Sequence, residues 1–217
     1  MSKKSLIILT IVELLIAIVV VVRDLLNPTL IILGMIAISM LIRREKIGAL
    51  GFKKPKSWIA LIAVSFVCIF LLQLFDVGVL MPILNRLTGK TINYSGFANL
   101  QGNPSQLLTL LILGWTLAAI GEETVYRGYF QKLLGDLFGK TVWGVVVAIG
   151  ISSLAFGLAH LEQEIIGVVV TTFDAIIFSL LKRKFDDNLW AAIFAHGFYN
   201  TFGFVVFYFF GPIYGLW

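Results

Sequence analysis

Seven stretches of the chain run uncharged, or nearly so, for about the 20 residues that a helix needs to cross hydrocarbon. They are Leu6 to Val22, Leu25 to Ile42, Trp58 to Phe75, Leu107 to about Leu134, Thr141 to Leu161, Ile165 to Leu181 and Leu189 to Phe210. Hydrocarbon offers a backbone N–H or C=O no partner, so each stretch must satisfy its own backbone as a helix. The pattern predicts an all-α, polytopic transmembrane bundle of six to seven spans. Pro28 falls near the start of the second span, where its missing N–H costs nothing. Trp58 opens the third at an interfacial position. No internal repeat or low-complexity tract divides the chain. It reads as an N-terminal hairpin with a basic turn (1–57), a third span with an outer loop (58–106) and a helix bundle (107–217). The longest polar stretch, Asn85 to Gln106, is rich in glycine and asparagine and is expected to be that outer loop.

Composition sharpens the class. Of 217 residues, 59% are hydrophobic and only 13% charged, about half the charge of a soluble domain. So little charge excludes a soluble globule, and the apolar excess excludes a disordered chain. The formal charge of +5 is a matter of topology rather than of nucleic acid, because the basic residues flank the apolar stretches. With the N-terminus inside, thirteen of them fall on cytoplasmic segments: Lys3, Lys4, Arg43, Arg44, Lys46, Lys53, Lys54, Lys56, Lys132, Lys140, Lys182, Arg183 and Lys184. Only Arg23, Arg86 and Lys90 fall outside. That asymmetry predicts a multi-pass protein of the cell membrane whose first partner is the lipid bilayer. The first apolar run has no small-residue cleavage site and is interrupted by Glu13, so it reads as an uncleaved span rather than a signal peptide. The one cysteine, Cys68, cannot form an internal disulfide and carries no redox information.

Ionisable groups inside spans cost about 2.5–3.5 kcal/mol each on insertion scales, so those that are present are functional candidates. They are Glu13, Glu122, Glu123, Arg127, His160, Asp174 and His196, and the two histidines are the only ones in the chain. Glu123 and Arg127 stand at i, i+4 in the favourable acid-first order. Glu122 points about 100° away on an α-helix, which leaves its carboxylate free for chemistry unless both acids sit at a solvated helix end. Phe156 and His160 share a face, as do His196 and Asn200. Glu122 lies 18 residues before Lys140 and His160 lies 20 after it. Antiparallel neighbours therefore bring the two to depths within about 3 Å of each other, at 1.5 Å per residue. His196 counts as shallower. Against these readings stand a core histidine bonded to a carbonyl and interhelical polar glue worth about 0.6 kcal/mol. Glu13 and Asp174 read as acids without an arranged partner. Glu13 is taken as structural, and Asp174 is left free to orient a histidine.

In this order, Glu122-Glu123…Arg127, Phe156…His160 and His196…Asn200 resemble the pattern of the CPBP intramembrane proteases. That family holds the type II CAAX prenyl endopeptidases and the bacteriocin-processing or self-immunity (Abi) proteins. The resemblance covers roughly Gly114 to Gly203, with a weaker likeness at Leu50 to Pro55. Asp174 departs from it, since family members carry small or apolar residues there. The resemblance implies a glutamate-dependent protease without a cofactor, acting on a peptide or membrane-protein substrate that is hydrophobic or prenylated, and no nucleic acid.

The available groups are consistent with that chemistry. No serine or cysteine stands beside a base, so water is the nucleophile, deprotonated by Glu122 with help from His160. His196 and Asn200 are placed to donate to the oxyanion. Glu123 and Arg127 fix the helix, and Phe156 packs the wall. Three alternatives remain open at this stage. Glu122, His160 and His196 could hold zinc with an open fourth position. Intramembrane acids and imidazoles could serve an ion-coupled transporter. Finally, the motifs could survive only as packing in a non-catalytic immunity or scaffold protein.

Overall fold

Residue types that favour helix N-caps start most of the long helices. The computed structural model describes residues 3–23, 25 and 27–211; Met1, Ser2 and the uncharged end from Pro212 to Trp217 lie outside the described residues. Helix α1 is Lys3–Val22. Helix α2, Pro28–Arg43, begins under Asn27, whose side chain accepts from the Leu30 N–H, with Pro28 in the first turn. Helix α3, Trp58–Thr88, is capped by Ser57, and helix α4, Pro104–Phe138, by Asn103. Helix α5, Val142–Leu158, is capped by Thr141. Helix α6, Glu164–Lys184, follows a short turn. Helix α7, Leu189–Phe210, is capped by Asn188. No strand occurs among the described residues.

Five of these helices (α1, α3, α4, α6 and α7) are long and apolar enough to cross a membrane, while α2 and α5 are shorter apolar helices. Their outer faces are bare hydrocarbon: Ile59, Val142 and Leu41 are each about 80% exposed. In water such a surface would be an aggregation site, whereas lipid covers it. The chain is a multi-pass, all-helical membrane protein.

The interior forms where α4 meets its neighbours. Val125, Tyr126, Tyr129, Phe130 and Leu133 pack with residues of α1, α2, α5 and α6 in one cluster. A second cluster joins Leu61, Ile69 and Leu72 of α3 to Ala191, Ala192 and Ala195 of α7.

Two expectations are corrected here. Glu13 is not a lone acid: it meets Arg43 at 2.6 Å, and the same guanidinium reaches Thr10 and Ser39. Arg43, counted above among the topological charges, is therefore the clasp of the α1–α2 hairpin. The third helix also does not stop at Phe75. It passes through a wide π turn, Asp76–Leu80, and continues to Thr88. The widened turn lies just before Pro82, which has no N–H to return to the preceding turn. The loop that follows is folded rather than slack. Its Ile92 and Leu100 are buried, and it bonds back to α7 through Gly102 N–H and Tyr208 O at 3.0 Å.

Candidate active site

Helix α4 carries the acids on an unusual backbone. Gly114–Glu122 and Thr124–Phe130 are wound as π-helix, with Glu123 between them. The sequence reading assumed α geometry throughout. A π turn holds more residues per turn and appears mostly at functional sites, so the 100° offset between Glu122 and Glu123 holds only approximately here. Glycines let other parts of the chain approach this segment. A side chain at Gly114 would strike the Phe204 ring of α7, and one at Gly128 would press on the Leu50 carbonyl.

The two glutamates part company. Glu123 is fully buried, and its Oε1 accepts from Arg127 Nη1 at 2.9 Å. The same oxygen lies 2.9 Å from His196 Nδ1. This contact settles the depth of His196, which helix counting had left shallow: α7 brings it level with Glu123. Arg127 is equally buried and held on several sides. Its guanidinium lies 4.3 Å from the Phe156 ring centroid and 5.4 Å from that of Phe178. Its carbonyl accepts from Lys182 Nζ at 2.5 Å. Lys182, counted above with the cytoplasmic charges, is itself buried. Glu122 is half-buried, close enough to Tyr126 and Arg127 to act on both electrostatically. Among the described residues its carboxylate makes no hydrogen bond.

His160 sits at a different place from the one expected. Helix α5 ends at Leu158, and His160 occupies the turn beyond it, its N–H bonded to Gly157 O at 3.0 Å. Its Nδ1 lies 2.9 Å from Phe156 O and its ring 4.7 Å from the Phe156 ring. A carbonyl and a carboxylate only accept. Both histidines therefore carry hydrogen on Nδ1, and Nε2 is the ring nitrogen left for chemistry. Glu122 and His160 share no hydrogen bond.

His160, His196 and Asn200 line one cavity of about 380 Å³, with Tyr199, Asp174 and Gln73 as its other main polar groups. The rest of the wall is aromatic and aliphatic, and includes Phe156 and Phe178. Glu122 is not on that wall. Gly197 lets Trp115 lie flat on α7 between His196 and Asn200, since any side chain there would overlap the indole. The indole N–H donates to Thr201 at 3.0 Å, so part of the interhelical glue is present beside the site.

Asp174 orients neither histidine. It lies instead against Asp76 and Tyr199, and Asp76 accepts from the Tyr199 hydroxyl at 3.2 Å. Sequence reasoning missed Asp76 because the third apolar stretch was ended one residue before it. It also missed Gln131, which ties α4 to Ser152 of α5 and Ser179 of α6 at 3.1 and 2.7 Å. Uncharged amides in a span leave little trace in a hydropathy pattern. Among the described residues, no three His, Cys, Asp or Glu side chains gather closely enough to hold a metal ion. Of the alternative zinc set, His160 and His196 line the cavity and Glu122 does not.

No curated protein and no solved structure matches the chain. A family model does match, over residues 104–202, and its description is Type II CAAX prenyl endopeptidase Rce1-like. The matched segment runs from the start of α4 into α7 and holds all three motifs. Over residues 104–202 the chain is similar to the type II CAAX prenyl endopeptidases of the Rce1-like kind.

Proposed function

We propose that this chain is an intramembrane endopeptidase of the cell membrane, with seven spans and a cytoplasmic N-terminus. It cleaves near the C-terminus of a hydrophobic or lipidated substrate, using water rather than a protein nucleophile and no metal. The observation that carries this reading is the shared wall: His160, His196 and Asn200 face one mostly apolar cavity beside a buried glutamate–arginine pair.

A hydrophobic chain, prenyl groups included, fits such a wall, and burying it there supplies the binding energy. Glu122 takes a proton from water, assisted by Nε2 of His160. The hydroxide adds to the scissile carbonyl carbon. The carbonyl oxygen, now negative, is held by the Asn200 amide and by His196, which donates through Nε2 when both ring nitrogens are protonated. Collapse of the intermediate expels the amine, and the proton taken from water goes to it. Glu123 and Arg127 do not touch the reacting atoms in this scheme. They hold the His196 ring, in the way that a buried aspartate orients the histidine of a serine protease. Catalytic contacts of this kind tighten on substrate binding, which accommodates the open Glu122–His160 pairing.

The test uses purified protein in detergent with a panel of prenylated and unmodified peptides. Glu122→Gln is expected to lower cleavage by at least the 10²-fold typical of general-base loss while the chelated wild type keeps full rate. Cleavage abolished by chelator and restored by zinc would defeat the metal-free mechanism. Biological activity unchanged in Glu122→Gln would defeat the enzyme reading altogether.

A further inference from the structure

One wall of the cavity holds an acid that the mechanism does not use, Asp174, and a second acid, Asp76, lies against it. Asp76, on the π turn of α3, is fully buried, and Asp174, on α6, is 2% exposed. Tyr199 donates to one oxygen of Asp76. Among the described residues no N–H or hydroxyl donates within hydrogen-bond geometry to the other oxygen of Asp76 or to either oxygen of Asp174, and the two carboxyl groups are close enough to hydrogen-bond each other. Charged groups left unpaired in apolar surroundings are expensive, and the nearest cation, Arg127, is already committed to Glu123. Asp174 and Tyr199 face the cavity directly. The fold thus keeps an acidic, donor-poor corner open to the place where substrate sits.

We propose that Asp76, Asp174 and Tyr199 form a subsite for an organic cation, an ammonium or guanidinium group carried on an apolar stem, such as a lysine or arginine side chain of the substrate. The proposal rests on the protease reading above and names part of its substrate class. The chemistry of the wall selects among cations. A metal ion would have to exchange its water for two carboxylates and a phenol, and among the described residues no third acid, histidine or cysteine stands near enough to complete the set. An alkylammonium has its own hydrocarbon stem, which an aromatic wall that includes Phe70, Tyr94 and Phe207 can bury, and aromatic rings attract cations. A substrate carboxylate in the same corner is disfavoured by repulsion.

Two measurements test this, and only one needs proteolysis. In the first, thermal unfolding of the purified full chain is followed with n-butylammonium, n-butanol or butyrate. The ammonium is expected to raise Tm of the wild type, with butanol and butyrate ineffective, and Asp174→Asn and Asp76→Asn are expected to lose the rise. An equal response in wild type and both variants, or none in the wild type, overturns the proposal and marks the acids as a proton-sharing structural pair. In the second, peptides differing by lysine or norleucine near the scissile bond are compared. The wild type is expected to favour lysine about tenfold, the scale of one charge-assisted hydrogen bond, and Asp174→Asn to bring the ratio toward one. A ratio unmoved by the variant overturns the proposal. Absence of any cleavage counts against the protease reading instead, and the ammonium measurement then decides the subsite alone. If Asp174→Asn does not fold, Asp76→Asn carries the same comparison.

Discussion

Adjacent glutamates in this chain have opposite fates, because one of them has a use for its charge inside the fold. Glu123 shares a single carboxylate oxygen between Arg127 and His196, and neither acid nor guanidinium reaches solvent. Removing one partner of such a pair strands the other, at about 3–5 kcal/mol. Glu123→Gln is therefore expected to lower the unfolding temperature of detergent-purified protein sharply. Glu122→Gln, which breaks no hydrogen bond, is expected to leave it within about 0.5 kcal/mol of wild type. Equal stability for the two variants would contradict the assignment. The i, i+4 spacing made the Glu123–Arg127 pair legible from sequence. His196 as the third member was not, since it comes from a helix 73 residues away. Asp174 shows the converse limit. It was visible as an intramembrane acid, yet its neighbour Asp76 was hidden by where the third apolar run was ended, so the pair was invisible.

At the scale of elements, hydropathy located the main helices of the described residues, five of them long and apolar enough to cross a membrane, but not their winding. Span boundaries follow from side-chain transfer energies, whereas the π segments of α4 depend on which carbonyl each N–H selects, and no side-chain periodicity records that choice. The end of α5 was misjudged for a related reason. Apolar residues run on through Leu158, and only the backbone turn at Ala159 shows that His160 stands beyond the helix. What the sequence does record is close approach. Gly197 accepts the Trp115 indole against the α7 backbone, while Gly150 of α5 faces open space. Gly197→Ala overpacks the α4–α7 contact and is expected to destabilise by about 1–3 kcal/mol, with a loss of activity through displaced Asn200. Gly150→Ala is expected to be neutral or to stabilise by up to about 1 kcal/mol, since alanine is the better helix former. Thermal unfolding of the two variants side by side checks the contrast, and a tolerated Gly197→Ala would show that α4 and α7 are less tightly joined than the structure has them.

Across the whole molecule, contacts between distant turns group the charges by end. Lys53 donates to Asp186 O at 3.0 Å, Asn188 donates to Lys53 O at 3.0 Å, and Lys132 pairs with Glu45 at 2.9 Å. These contacts bind the α2–α3 loop, the end of α4 and the α6–α7 turn into one basic end of the bundle. Lys90 pairs with Glu164 at 3.0 Å, joining the α3–α4 loop to the start of α6. Glu164 and the basic Lys182–Lys184 turn are opposite ends of one spanning helix, so the Lys90 end is the far one. Packing thus segregates the same residues that the charge count assigned to two sides. By the bias of lysine and arginine toward the cytoplasm, the basic end is expected to be the inner one. In a Cys68→Ser background, Lys90→Cys is expected to react with a membrane-impermeant maleimide in intact cells. Lys140→Cys, on the turn after α4, is expected to react only after permeabilisation. The reverse pattern would invert the protein in the membrane while leaving the site intact, and labelling of both from one side would break the bundle topology itself.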